Sequence, residues 1–401
     1  MKKSNVLLSG IILSILITGL IIFSQSNFTI YTQSLSFEIH SINLHKKSLT
    51  PHIPIIVNGD SDFHDYDFPG NGSPDSPYLI EGYSIIDSAS ADGIVVENTT
   101  KHFIVRNCYI EVNGDGLRVK NISNGTAVIA DNQFRGCDSD AIVVVYADFT
   151  IVANNTGLED HTGLRISYCD GVYANNNTFV GGSPVEYICA SGIYASYCDY
   201  ITLINNSIDD FNRGIFTRDT SNSIIAKNTI LSSKEYGGIY LFQNSDNNLI
   251  INNTVLNNSA YDGIRLYDCD DNEITYNIVK NNNGYGCSLM SGSRNNIAHH
   301  NNFINNGYGL SQGYASSSLN TWYQIEINEG NFWSDWDGSG SYAISGSDSF
   351  DLYPLGEPVV SEPVIPTISF SFPSFIWIIL FIASVTCFTF VVPRKRKVFS
   401  Y

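Results

Sequence analysis

Small residues followed by alternating apolar positions recur along the middle of the chain, at Gly93 (GIVV), Gly116 (GLRV), Ala141 (AIVV), Gly163 (GLRI), Gly192 (GIYA), Gly214 (GIFT), Gly238 (GIYL), Gly263 (GIRL), Gly286 (GCSL) and Gly309. Successive spacings are 23, 25, 22, 29, 22, 24, 25, 23 and 23 residues. An Asn stands 14 to 16 residues after each of the first nine: Asn107, Asn132, Asn155, Asn177, Asn206, Asn228, Asn253, Asn277 and Asn301. Period-two alternation marks a strand, and so short a repeat, rich in Asn and Gly, leaves no room for a helix pair. Three short strands and their turns per repeat predict a parallel β-solenoid, each strand pairing with its equivalent one coil away. The Gly is expected to supply a turn conformation costly to other residues, and the Asn to stack as an amide ladder.

The same register predicts the interior. Positions one and three after the small residue point inward, from Ile94 and Val96 to Ile264 and Leu266. A second inward row lies three residues before each Asn, beginning Ile104, Ile129 and Val152. The long 29-residue spacing contains Gly181-Gly182-Ser183-Pro184, so Val180 to Ala190 reads as a loop. Residues 53 to 86 and 319 to 355 break the repeat and concentrate aromatics, as covers for the solenoid's exposed ends would. Cys169, Cys198 and Cys269 share the sixth position after the small residue, where stacked small side chains are expected; Cys169 and Cys198 fall on neighbouring coils, within disulfide reach.

Composition bears on location and partners. Lys plus Arg is 21 against 39 Asp plus Glu, a formal charge of −18, which excludes nucleic acid as a partner. An uncharged run from Val6 to Phe23 follows Lys2-Lys3, and a second from Phe375 to Val392 precedes Arg394-Lys395-Arg396-Lys397. Each is about long enough to span a bilayer, and the basic flanks stay cytoplasmic. The expected order is a signal peptide or signal anchor (1–27), a linker (28–52), an ectodomain with its caps (53–355), a Pro-containing stalk (356–373), a transmembrane helix (374–392) and a basic tail (393–401). The repeat domain would lie outside the cell membrane, facing cell-surface glycans or other envelope proteins.

The leading segment Phe68-Pro69-Gly70-Asn71-Gly72 with Ser76-Pro77-Tyr78-Leu79-Ile80-Glu81-Gly82-Tyr83, the coils, and the closing segment Gly330-Asn331-Phe332-Trp333-Ser334-Asp335-Trp336 together resemble the NosD-like family. The resemblance implies an all-β fold, a right-handed parallel β-helix of about ten coils, here with N- and C-terminal hydrophobic helices. It also implies kinship with carbohydrate-binding and sugar-hydrolase repeats and carries a periplasmic copper-binding label. Copper finds little support in the residues: the methionines are Met1 and Met290, and the histidines are scattered apart from His299-His300 and His64.

Outward position two reads Val95, Arg118, Val143, Arg165, Tyr194, Phe216, Tyr240, Arg265 and Ser288. Rings on a solvent-facing sheet can stack on sugars while guanidinium groups hold hydroxyls or carboxylates, so Arg118, Arg165, Tyr194, Phe216, Tyr240 and Arg265 are the glycan-binding candidates. Cross-strand packing is the competing structural reading. Asp92, Asp115 and Asp140 precede the small residue on three coils and are calcium candidates, although Asp beside Gly commonly bonds backbone. Asp148, Asp170 and Asp199 line the following turn, and Asp60, Asp62, Asp65 and Asp67 form a second acidic loop. No cofactor is expected, with calcium at Asp92, Asp115 and Asp140 as the one alternative. Catalytic residues are not evident, because no acid pair or His falls in phase with these acids, yet a polysaccharide lyase or hydrolase stays the alternative. Among the sequons, Asn71, Asn98, Asn121 and Asn124 lie away from the ladder and are the glycosylation candidates.

Overall fold

The computed structural model describes residues 49–89, 92–182, 190–259, 261–307 and 311–360. Both terminal apolar runs, the basic tail, Gly309 and most of the expected linker, stalk and Val180–Ala190 loop lie outside the described residues. Three parallel sheets form the body. The first runs from Thr50–Pro51 to Phe332–Trp333 with 12 strands, the second from Ile55–Asn58 to Gly313–Ala315 with 11, and the third from Tyr78–Glu81 to Ile297–His299 with 10. Neighbours in each sheet are three strands apart in chain order, except for Asn302–Ile304 and Phe332–Trp333 at the end of the first sheet, so each full winding gives one strand to every sheet. The chain is therefore an all-β parallel solenoid, and its pairing begins at Thr50 against Tyr83, inside the expected linker.

The inner rows follow the alternation. Ile94, Val96, Leu117, Val119, Ile142 and Val144 are fully buried, as are Val152, Ala174 and Leu203 of the second row. The first coil departs by one residue: Ile104 pairs with Val128 on the outer side, while Phe103 and Val105 enter the core. In a strand a one-residue slip exchanges the two faces. The cause lies at the corner, where Cys108 rather than Asn107 holds the ladder position and its N–H donates to Asn132 Oδ1 at 3.1 Å. Asn107 sits one place earlier in left-handed backbone at φ 52°.

From Asn132 the ladder is continuous. Asn132, Asn155, Asn177, Asn206 and Asn228 each donate from Nδ2 to the next Oδ1 at 3.0 Å, and the file ends at Asn331. Two further ladders occupy the other corners in later coils, one through Asn248, Asn272, Asn296 and Asn320, another through Asn258, Asn282 and Asn306. Each buried amide thereby finds a partner, which removes the desolvation penalty of a polar corner.

The recurring Gly has a different reason from the one expected. Gly93, Gly116 and Gly163 are not at positive φ. They are sites of close approach: a Cβ on Gly116 would lie 2.5 Å from the Phe134 ring and 2.6 Å from the Ala141 carbonyl. The cysteines at the sixth position are buried and unpaired, as are all six described cysteines.

Aromatic caps close the rod. Phe63 stacks on Tyr78 at 4.4 Å at one end; at the other, buried Trp333 stacks on Tyr342 at 4.2 Å beneath the antiparallel hairpin of Tyr342–Ile344 and Ser349–Asp351. Asp351 terminates the Asn ladder, accepting from the N–H of Asn331 at 2.7 Å and from Trp333 Nε1 at 2.9 Å. The chain then returns to the first sheet: Leu355 N–H donates to the Asn331 carbonyl, and the Asn302 side chain grips both the N–H and C=O of Val359 at 2.8 and 2.9 Å.

Candidate functional site on the outer face of the second sheet

Position-two residues form one unbroken file. Val95 pairs with Arg118, Arg118 with Val143, Val143 with Arg165, and the order continues through Tyr194, Phe216, Tyr240 and Arg265. Tyr194 stacks on Phe216 at 5.3 Å and 10°, and Phe216 meets Tyr240 at 5.2 Å. These candidates come together as the register requires, but their exposure differs from a bare aromatic strip. Phe216 and Tyr240 are buried, at 8% and 6% relative exposure.

Arginines and neighbouring rings cover them. The Arg213 guanidinium carbon lies 4.3 Å from the Phe216 ring centre and 4.6 Å from that of Tyr236. Arg265 lies 5.3 Å from Tyr240 and 5.7 Å from Tyr261, and Arg218 reaches Phe242 at 5.8 Å. Tyr236 and Tyr261 are nearly parallel at 5.8 Å. A guanidinium stacked on a ring keeps its in-plane N–H groups available for bidentate acceptors. The surface therefore combines ring edges with cationic donors.

The cations differ in how they are neutralised. Arg118 pairs with Asp92 at 2.8 Å and Asp115 at 3.3 Å. Arg165 Nη2 donates to Asp140 at 3.3 Å, and His161 Nδ1 lies 3.5 Å from the same carboxylate. Burial works to raise the Asp140 pKa, but the His161 hydrogen bond and the Arg165 charge outweigh it and hold the carboxyl below its ordinary value. Arg265 has no carboxylate within ion-pair distance among the described residues, and its Nε is buried without a hydrogen-bond partner there. The nearby Asp262 carboxyl is raised by burial and accepts from Ser288 Oγ at 2.6 Å and Tyr285 N–H at 2.8 Å.

The acids expected to hold calcium are thus engaged by protein groups. Asp92 Oδ1 accepts the Asp115 N–H at 3.0 Å, and Asp115 Oδ1 that of Asp140 at 3.4 Å, beside the arginine contacts. Asp60 accepts from Thr99 Oγ1 at 2.6 Å and from Thr100, which lowers its pKa through the Thr99 bond first. His299 and His300 meet through Nδ1 atoms 2.7 Å apart, while their Nε2 atoms face Glu273 and Glu329. Among the described residues no group of three or more His, Cys, Asp or Glu side chains is placed to hold a metal ion. All four glycosylation candidates are exposed; Asn98 and Asn121 belong to a short surface ladder, donating to Asn58 at 2.7 Å and Asn98 at 2.6 Å.

Several surface residues escaped the sequence reading. Arg213 occupies the file of Asp92, Asp115 and Asp140, one place before the Gly, and following that file past its acids would have found it. Arg218 and Phe242 sit at outward position four. His161 reaches Asp140 from the preceding turn, so a histidine does lie beside these acids, contrary to the expectation.

The fold and this surface define a parallel β-solenoid with an arginine-and-aromatic face. The model of the right handed beta helix region family matches residues 74–184, 161–261 and 182–329, and the chain belongs to that family. No curated protein matches it. Similar solved structures include a mutant of the periplasmic alginate epimerase AlgG, with 16% identity over 75% of this chain and 82% of that one at a TM-score of 0.46. The catalytic domain of a GH87 α-1,3-glucanase in complex with tetrasaccharides shares 13% identity over 65% and 62%, with a TM-score of 0.28. The A-module of the Azotobacter vinelandii mannuronan C-5 epimerase AlgE4 shares 10% over 69% and 88%, with a TM-score of 0.26.

Proposed function

We propose that the protein is a non-catalytic glycan-binding β-helix of the NosD-like branch, displayed at the cell surface by its terminal apolar segments, and that the second sheet between Arg165 and Arg265 holds an anionic polysaccharide. The observation that carries this reading is Arg265: its guanidinium lies 5.3 Å from the Tyr240 ring centre and 5.7 Å from that of Tyr261, and no carboxylate stands within ion-pair distance among the described residues, Asp262 acting on it only as a more distant charge. Charge distribution supports it. Six of the thirteen Lys and Arg residues between 49 and 360 lie on second-sheet strands, namely Arg118, Lys120, Arg165, Arg213, Arg218 and Arg265, although the whole chain carries −18. Phe216 and Tyr240 serve as the floor that fixes the guanidinium planes, while half-exposed Tyr194 offers a ring to the sugar.

The test is calorimetric titration of the full chain in detergent micelles with polygalacturonate and with the same polymer after carboxyl reduction. Arg265→Gln is expected to weaken polygalacturonate binding about tenfold, the loss of one charge-assisted contact. Tyr194→Ala is expected to weaken both polymers with folding intact. Equal binding by wild type and Arg265→Gln would reject the assignment.

A second reading, a polysaccharide-active enzyme on the same face, draws on one contact. The Asp140 carboxylate lies 3.5 Å from His161 Nδ1 and also accepts from Arg165, an arrangement suited to proton transfer. Turnover of a polysaccharide that His161→Ala abolishes while binding persists would establish it over the binding role.

A further inference from the structure

The turns after the second-sheet strands from Leu117–Lys120 to Cys287–Met290 contain two or three places in left-handed backbone. Most coils fill them with Asp, Asn or Gly, as with Asp219 and Asn222 or Asp268 and Asp271. Three consecutive coils use aromatic residues instead: Tyr146 and Phe149, Tyr168, then Tyr197 and Tyr200, with φ between 49° and 57°. A left-handed conformation costs an ordinary L-residue roughly 1–2 kcal/mol. Core burial does not offset that cost, since the five side chains are 36% to 54% exposed. Nor does the fold demand rings there, because Asn121 makes the same turn and adds a ladder hydrogen bond.

Tyr146, Tyr168 and Tyr197 stack at 5.0 and 4.9 Å with interplanar angles of 16° and 3°. The stacked rings remain exposed to solvent along the corner, at 51%, 46% and 44% of their residue surface. Between the tyrosine file and the second turn position, held by Phe149, Gly171 and Tyr200, run Asp148, Asp170 and Asp199. One oxygen of each is spent on the protein, accepting from Asp170 N–H at 2.9 Å, Asp199 N–H at 3.2 Å and Asn222 Nδ2 at 3.1 Å. None of the three forms an ion pair with a cation among the described residues.

We propose that this corner is a second glycan-binding surface, separate from the Arg265 face, and that it takes an amino-sugar polysaccharide lying along the solenoid axis. The spacing selects a sugar chain: one pyranose unit is about as long as the 4.9–5.0 Å step between rings, whereas an extended peptide advances only about 3.3 Å per residue. Charge selects the sugar. The carboxylates between the rings accept hydrogen bonds from ammonium groups and repel uronates, the reverse of the second-sheet face. Burial and the neighbouring Asp148 and Asp199 charges raise the Asp170 carboxyl, a cost that a bound cation relieves. This proposal stands independently of the Arg265 reading.

The experiment titrates the full chain in detergent micelles with a glucosamine oligosaccharide long enough to span three coils and with its fully N-acetylated counterpart. The doubly substituted Tyr168→Asn, Tyr197→Asn variant retains a side chain suited to the turn, so its melting temperature serves as the folding control. We expect the glucosamine oligosaccharide to bind, with about tenfold weaker affinity for the variant and for the N-acetylated chain, and no change in Arg265→Gln. Absence of binding, equal binding by the double variant, or equal binding of the N-acetylated chain would overturn the proposal. Competition by oligolysine at the same affinity would also overturn it, by assigning the corner to basic peptides.

Discussion

Two aromatic files rise through neighbouring coils of the solenoid and have opposite surroundings. Tyr194, Phe216 and Tyr240 lie on the second sheet in extended backbone, partly or wholly covered, with guanidinium groups over their rings. Tyr146, Tyr168 and Tyr197 lie on the adjoining corner in left-handed backbone, half in water, beside carboxylates. The solenoid aligns whatever residue occupies a register, so stacking alone does not distinguish the two. Their difference comes from the conformation and charge of the neighbouring files, and substitutions that move one file and not the other test it.

The largest effect is expected where a corner file holds an unsuited residue. Asp160 occupies the place that Asn258, Asn282 and Asn306 fill in later coils, accepting the Cys137 N–H at 2.8 Å while its second oxygen has no partner among the described residues. Burial raises its pKa to about 7 from the model-compound value of 3.8. Well below the ordinary value of 3.8, folded and unfolded chains are both protonated at this position and the acid costs nothing. As pH rises toward 7 the unfolded chain ionises first, so stability falls across that window, by on the order of 4 kcal/mol for a shift of about three pKa units. Asp160→Asn should therefore stabilise the protein at pH 8 and have a much smaller effect at pH 4, as measured by urea unfolding. Destabilisation at pH 8 would refute the assignment.

Next in size, Phe216→Ala is expected to cost about 3 kcal/mol, because the ring is buried beneath Arg213. Tyr194→Asn should cost about 1 kcal/mol through lost cross-strand packing and strand preference. The same change at the corner, Tyr168→Asn, should shift stability by less than about 0.5 kcal/mol, since relief of the left-handed backbone offsets the lost stacking. A corner substitution as costly as Tyr194→Asn would erase the distinction between the files.

Much of this was legible because the repeat is an arithmetic signal. The Gly spacing fixed the second-sheet register, and the paired rows from Ile94 and Val96 onward entered the core as alternation requires. Asn107 misled because it lies beside Cys108, and spacing alone cannot tell a left-handed surface Asn from a buried ladder Asn one residue later. The two shorter ladders were missed for a related reason: their files hold Asn only in later coils, with Ser223, Ser233 or Asp160 earlier, so no period stands out. The arginine cover over Phe216 and Tyr240 was hidden because Arg213 and Tyr236 come from different coils and meet only after winding. The tyrosine corner was hidden because turns are read for Gly and Asn, and an aromatic in left-handed backbone leaves no compositional mark.

The grip of Asn302 on Val359 has a mechanical consequence. Residues after the cap run back along the flank of the first sheet, so a pull on the C-terminus loads that clasp and the Leu355 contact before it reaches the stacked Trp333 and Tyr342. Under tension the rod would be held from its side, with the two amide bonds of Asn302 acting as a strain relief for the cap.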